Sequence, residues 1–162
     1  MLLLGLGLLF LLACFSFVLL FGAPYLPTLS KQVQIAMDMV DLQPGQTLLE
    51  LGCGDGKVLV AAAKRGWHVV GFELNPLLVL ICKLRTWRYR TLVTVKWGNF
   101  WTQPWPSADG IFVFVMPRHM PKLDKKIMQS TVKQVKLVSF AFEIPGKQPL
   151  KKHAGVYLYR YN

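Results

Sequence analysis

The sequence predicts an α/β fold: a doubly wound parallel sheet covered by helices on both faces, preceded by one transmembrane helix. Three observations predict it. Short, continuously apolar runs alternate with helix-length runs from Thr47 onward, as in a parallel sheet buried on both faces. The first apolar run ends in a glycine-rich turn that opens a helix. Met1 to Phe21 contains no charged side chain. Hydrophobic residues make up 53% of the 162, which excludes a disordered chain, and no internal repeat points to a solenoid. The 140 residues after the first 22 suffice for one domain and are too few for two. The net charge of +11, from 19 Lys and Arg against 8 Asp and Glu, favours anionic partners. Cys14, Cys53 and Cys82 are far apart and form no CxxC, so neither a disulfide framework nor a zinc site is expected, and a reducing compartment fits.

Residues 1–22 are read as a membrane anchor. As a helix, ~22 residues rise roughly 33 Å, enough for a bilayer core of about 30 Å. A cleaved signal peptide needs a positive n-region, and no Lys or Arg precedes Lys31. Because every Lys and Arg follows the anchor, the positive-inside rule places the domain on the cytosolic side of a single-pass membrane protein. Residues 23–30 form a lead-in, with Pro24 and Pro27 excluding helix interior. The domain proper covers 31–162.

Ser30 is the expected N-cap of a helix to about Leu42, with Val33, Ala36, Met37 and Val40 on one apolar face. Gln43 to Gln46 is a turn. Thr47 to Leu51 is the first strand, and Lys57 to Arg65 a helix stopped by Gly66. His68 to Phe72 is the second strand. Asn75 caps a helix whose first residue is Pro76 and which runs to about Arg90. Leu92 to Lys96 and Gly110 to Met116 are the third and fourth strands, Pro121 to Val135 a helix, and Lys136 to Phe142 the fifth strand. Val156 to Tyr161 alternates and suits a sheet edge.

The stretch that carries chemistry is Leu48-Leu49-Glu50-Leu51-Gly52-Cys53-Gly54-Asp55-Gly56. Glycines at 52, 54 and 56 let the backbone turn sharply and let a ligand approach where a Cβ would collide. Free N–H groups of the turn and helix start would then face an anionic or carboxylate group, in the crevice at the carboxyl ends of the strands. A dinucleotide fingerprint counted from Gly52 needs glycine at 57, where this chain has Lys57. E-x-G-x-G-x-G is instead the pattern of class I enzymes that use S-adenosylmethionine. Glu73, ending the second strand, stands where a carboxylate accepts both ribose hydroxyls. Gly98-Asn99-Phe100 follows the third strand, where an amide bonds the adenine amino group and a ring covers its face. Plainer readings stand beside these. The glycines make a tight turn, Glu50 is a buried carboxylate satisfied by loop N–H groups, Glu73 is a surface residue beside Asn75, and Asn99 serves a turn.

PYLPT (24–28), LELGCGDGKVLVAAAKRG (49–66), GFELNP (71–76), GNF (98–100) and FVMPRHMPKLDKKI (114–127) together resemble the small seven-strand protein-lysine methyltransferases. That family includes the adenine-nucleotide-translocase and ATP-synthase c-subunit enzymes of mitochondria and an archaeal relative of broad specificity. The resemblance implies a class I, Rossmann-like methyltransferase sheet and S-adenosylmethionine as cofactor. It implies that Glu50, Gly52, Gly54 and Gly56 cradle the methionine portion, that Glu73 holds the ribose, that Asn99 and Phe100 hold the adenine, and that Cys53 and Leu74 also line the cofactor site. Tyr25 and Thr28 of the lead-in fold over the cofactor, and Met116 and Pro117 face the methyl group and the acceptor amine. Between the fifth strand and VYLYRY there are few residues, so a reduced sixth strand is expected, which alters the acceptor-side wall.

Methyl transfer from a sulfonium needs only in-line alignment and a neutral nucleophile, and calls for no metal. An acceptor lysine, with an ordinary pKa near ~10.4, must shed a proton, most simply to water. His119 is a candidate base and Glu143 a candidate to steer the ammonium, each with a surface reading beside it, while His68 and His153 read as strand and loop residues. The basic surface also suits anionic lipid headgroups, and Trp87-Arg88-Tyr89 raises RNA. The expected function is a membrane-anchored protein-lysine N-methyltransferase. Methylation of a lipid amine or of RNA, and a tethered protein that binds the cofactor without catalysis, are the alternatives.

Overall fold

A computed structural model of the chain describes residues 28–130 and 133–162, with Gly5 and Leu9 besides. Those two residues apart, the expected anchor over 1–22 and the lead-in up to 27 lie outside the described residues. No helix among the described residues is long and apolar enough to cross a membrane.

The elements are α1 (Ser30–Val40), β1 (Thr47–Leu51), α2 (Lys57–Ala63), β2 (His68–Glu73), α3 (Pro76–Thr86), β3 (Val93–Trp97), β4 (Gly110–Val113), α4 (Met120–Ser130), β5 (Val135–Phe140), β6 (Lys151–His153) and β7 (Val156–Tyr161). The seven strands form one sheet in the order β3-β2-β1-β4-β5-β7-β6. β1 to β5 run parallel, and β7 runs antiparallel to both its neighbours. The carboxyl ends of the five parallel strands therefore share one edge, and that edge carries Glu50, Glu73 and the loops that follow them.

Alternation along β1 assigns its side chains to two cores. Leu48 joins Val33, Met37, Leu59 and Cys82 beneath α1, α2 and α3. Leu49 and Leu51 join Phe72, Leu123 and Ile127 beneath α4. Glu50, between them, points to the same side as Leu48, toward α2 and α3.

Several boundaries differ from expectation for local reasons. Ser30 is the first helical residue, not the cap. Extended Leu29 takes that place without a side-chain bond, its carbonyl already accepting the Val33 N–H at 3.0 Å. α1 stops at Val40 because Asp41 turns left-handed, and Leu42 is buried outside the helix. α2 ends at Ala63, and two tight bonds, Arg65 N–H to Ala62 and Gly66 N–H to Ala63, carry the chain to Gly66. The helix from Pro76 ends at Thr86, whose hydroxyl donates back to the Cys82 carbonyl at 2.8 Å, and a 3-10 turn over Trp87–Tyr89 follows. β4 stops at Val113 rather than Met116, with a 3-10 turn at Pro117–His119. α4 is shorter than expected, since Val135 opens β5 instead. The C-terminal strand is not at the edge. It lies between β5 and β6 and is buried on both faces, Val156 and Leu158 in one core and Tyr159 and Tyr161 in the other. The edge is β6, a strand of three exposed residues, which is the reduced sixth strand expected; its two lysines discourage further pairing.

Candidate functional site

The site is built where β1, β2 and β3 end side by side, with Leu51 paired to Phe72 and Glu73 to Trp97. The Gly52 and Cys53 N–H groups both donate to the Phe72 carbonyl, at 2.9 and 2.8 Å, which turns the chain over the end of β2. Gly54 N–H then donates to Glu73 Oε2 at 2.8 Å, and Asn75 N–H to Glu73 Oε1 at 2.8 Å. Glu73 is thus a buried organiser of two loops, not a surface residue. Each of its oxygens keeps a second lone pair for a ligand hydroxyl.

The expectation of free loop amides is corrected by these bonds. Gly52, Cys53, Gly54 and Gly56 N–H all have partners within the chain, and Lys57 N–H donates to Asp55 Oδ1 at 3.3 Å. What the loop offers is space and carboxylate oxygen. A Cβ built on Gly52, at φ +88°, meets nothing within 4 Å, so the backbone there borders open room. Gly56 answers to a different demand: at φ +79° its missing Cβ would come within 2.6 Å of Cys82 Sγ, so this glycine lets α3 pack on the loop.

Glu50 carries, at the centre of this site, an oxygen that no described residue satisfies. It is 4% exposed, and its Oε2 is buried without a hydrogen-bond partner. Burial, with Cys82, Glu73 and Asp55 adding to it, pushes its carboxyl well above the usual range. A buried oxygen left unpaired is costly unless a ligand donor reaches it. Glu50 and Glu73 gather here, beside an Asp55 that Arg85 neutralises, in a chain whose net charge is +11, so the two glutamates make a local acidic spot suited to a cationic ligand. An ammonium beside a sulfonium, as in S-adenosylmethionine, fits that orphaned acceptor.

The remaining expected residues fall around this centre, with one exception. Tyr25 lies outside the described residues. The Thr28 carbonyl accepts from Lys57 Nζ at 3.0 Å, which ties the lead-in to the helix that the glycine loop opens. Leu74 is half-buried, and its carbonyl accepts from Trp97 Nε1 at 3.0 Å. Asn99 follows β3, where Gly98 N–H donates to the Glu73 carbonyl at 2.8 Å. Its Oδ1 accepts the Trp101 N–H at 2.9 Å, so the turn role is real and one lone pair remains for an adenine amino group. Phe100 is half-buried with its ring 4.6 Å from that of Trp101. Met116 and Pro117 follow β4 at the same edge, the first half-buried and the second exposed. Glu143 is exposed in the loop after β5, also at this edge. His68 is exposed at the opposite edge, where β2 begins, while His153 is exposed at the end of β6, level with Phe140 through Val156 and separated from β1 by β4, β5 and β7.

His119 is half-buried, 5.8 Å from the Trp101 ring, and its Nε2 accepts from Arg118 Nε at 3.2 Å. Burial, helped by the Arg118 and Lys122 charges, lowers its pKa. It is a neutral histidine whose acceptor nitrogen is engaged, a poor base in this arrangement. Two features were missed from sequence. Lys126 reaches from α4 to the carbonyls of Trp101 and Gln103, at 2.8 and 3.3 Å, and lies over the Trp105 ring, so α4 props the loop after β3. And Cys53 and Cys82, 29 residues apart in sequence, place their sulfurs 3.8 Å apart as buried thiols.

The model of the ANTKMT methyltransferase domain matches residues 50–151. The ATP synthase c-subunit lysine N-methyltransferase of Mus musculus is 32% identical over 128 residues, covering 78% of this chain and 51% of the relative. The protein-lysine N-methyltransferase of Saccharolobus islandicus is 28% identical over 134 residues, covering 78% and 81%. Against the vertebrate ATP synthase relatives the chain spans only 51 to 59% of their length. Among solved structures, an RNA methyltransferase of Salinibacter ruber in complex with S-adenosyl-L-homocysteine superposes with a TM-score of 0.76 at 23% identity, over 84% of this chain and 92% of that one. The cyclase SpnF superposes with a TM-score of 0.61 at 16% identity, over 74% and 49%. A methyltransferase and a cyclase on one architecture mean that the fold alone does not name a reaction.

Proposed function

The chain belongs to the ANTKMT methyltransferase domain family, and from that membership we propose that it binds S-adenosylmethionine and methylates the side-chain amine of a protein lysine. The observation that carries the cofactor reading is the buried, unpartnered Glu50 Oε2 beside the Glu73-braced glycine loop. The relatives named as lysine N-methyltransferases support the acceptor.

S-adenosylmethionine supplies an activated methyl on a sulfonium. Glu50 accepts from the ammonium of its methionine portion, Glu73 takes the ribose hydroxyls on its spare lone pairs, and Asn99 with Phe100 borders the adenine. Met116 and Pro117 form the acceptor side, where a half-apolar wall favours the neutral form of an entering lysine. With His119 Nε2 held by Arg118, the acceptor proton passes to water. Residues 1–22 anchor the domain to a membrane on its cytosolic side in this reading, supported by their lack of charge and by the basic residues that follow. Resistance of the full chain to carbonate extraction, lost on deleting 1–22, tests that part.

The central test is transfer of tritiated methyl from the cofactor into protein, lipid and RNA fractions of a lysate. Label in protein, recovered as methyl-lysine, is expected. Label confined to RNA or lipid would assign the other acceptor class, which the basic surface favours.

A further inference from the structure

α3 has two apolar faces. One, carrying Leu78, Val79 and Cys82, is buried against the sheet. The other is exposed: Leu80 at 55%, Leu84 at 67% and Ile81 beside them, continued by Trp87 of the 3-10 turn at 64%. At 3.6 residues per turn these four lie on one stripe, since 80, 84 and 87 follow i, i+4, i+7 and 81 lies beside 84. Lys83 flanks the stripe on one side and Arg85, ion-paired to Asp55, on the other, and Arg88 and Arg90 extend it, Arg90 lying 5.3 Å over the Trp87 ring. From Leu74 to Ala108 there are five basic and no acidic residues. Its buried face and its Asn75 cap already seat the helix on the sheet, so the second apolar face is not needed for folding.

We propose that this stripe docks on the surface of an anionic lipid bilayer, with α3 lying in the headgroup region. An aliphatic stripe bordered by Lys and Arg and ended by Trp is the pattern of a helix that lies in the interface, its apolar side chains in the acyl boundary and its cations at the phosphates. Nucleic acid is less well matched. Bases need flat aromatic platforms, and the centre of this stripe is Leu80, Ile81 and Leu84, with Trp87 alone and already covered by Arg90. The surface is independent of the methyl-transfer reading, and either can fail without the other.

The test uses the full chain in phosphatidylcholine vesicles, in vesicles containing about 30% phosphatidylglycerol, and in detergent micelles. Carbene labelling of side chains is read by mass spectrometry. Labelling of Leu80, Ile81, Leu84 and Trp87 should fall about fivefold on anionic vesicles relative to neutral ones, recover in high salt, and recover in Lys83→Glu, as expected if each near-surface cation strengthens contact about fivefold. Because Lys83 is exposed, that variant folds. Equal labelling on both vesicles overturns the proposal. So does low labelling already in micelles, which would mean that another segment or a second copy covers the stripe, and so does protection by added RNA in micelles.

Discussion

Gly54 donates its N–H to Glu73 Oε2 at 2.8 Å, so the loop after β1 and the carboxylate ending β2 form one unit. The other oxygen of Glu73 holds the first turn of α3 through Asn75 N–H. Glu73→Ala removes acceptors from two backbone donors at once. Each such loss costs about 1–3 kcal/mol when water cannot reach the donor, so a fall in stability of about 2–6 kcal/mol is expected in urea titration. Thermal stabilisation by S-adenosylhomocysteine should disappear as well. Retention of that stabilisation would remove Glu73 from the ribose site.

Glu50 makes the uncomplexed protein sensitive to pH in an unusual direction. Its carboxyl is raised, first by burial and then by Cys82, Glu73 and Asp55. A carboxyl raised on folding holds its proton more tightly in the folded state. Its contribution to stability is therefore full below the unfolded value near ~4.3 and is lost as pH rises through the folded value. The wild-type chain should lose stability relative to Glu50→Gln over that window, by at most ~1.4 kcal/mol per pH unit. Urea midpoints of the two proteins measured from pH 4 upward give the comparison, and parallel curves would contradict it. A cation bound at Oε2 stabilises the ionised form, so affinity for the cofactor should rise with pH over the same window in the wild type alone.

Gly52 and Gly56 share a motif and separate under substitution. Both have positive φ, so alanine strains the backbone by roughly 1–2 kcal/mol at either site. At Gly56 the new Cβ also strikes Cys82 Sγ at 2.6 Å, while at Gly52 it enters open space. Gly56→Ala should be the more destabilising, and Gly56→Ala with Cys82→Ala should recover part of the loss, a coupling that a double-mutant cycle reads directly. Gly52→Ala should keep most of the stability and weaken S-adenosylhomocysteine binding in calorimetry. Equal losses of stability with no coupling to Cys82 would show that backbone strain alone accounts for both glycines.

What the sequence made legible followed the strength of local signals. The glycine turn after TLLEL and the Asn75-Pro76 start of α3 are chemical punctuation, and both stand where expected, with Asn75 Oδ1 accepting the Leu77 N–H at 2.9 Å. Ser30 carries the same kind of signal and fails, because Leu29 already closes the first turn through its carbonyl. The position of Val156–Tyr161 inside the sheet depends on β6 pairing with it, a tertiary choice that a period of two does not report. The occupied loop amides were hidden for the same reason, since their partners, Phe72 and Glu73, belong to the next strand. Pairings such as Cys53 with Cys82 and Lys126 with Trp101 span 29 and 25 residues and have no sequence signature at all.

The Lys126 pairing gives a prediction at long range. Its Nζ bridges the carbonyls of Trp101 and Gln103, and its position over Trp105 adds a cation–π contact. Burial, with the charge of Lys122, lowers its pKa, so the two carbonyls offset only part of the hydration its ammonium loses. Lys126→Met keeps the apolar stem against Trp105 and removes the charge-assisted bonds. Because the group is partly exposed, water replaces some of what is lost, and the cost to global stability should be small, about 1 kcal/mol. The local effect should be larger, because α4 no longer props the loop that holds Asn99 and Phe100. Amide exchange over 99–105 should quicken while that of β5 and β7 stays unchanged, and affinity for S-adenosylhomocysteine should fall with it. If exchange in the loop is unaltered, the bridge is decorative and the adenine side of the site is held by the Asn99 turn alone.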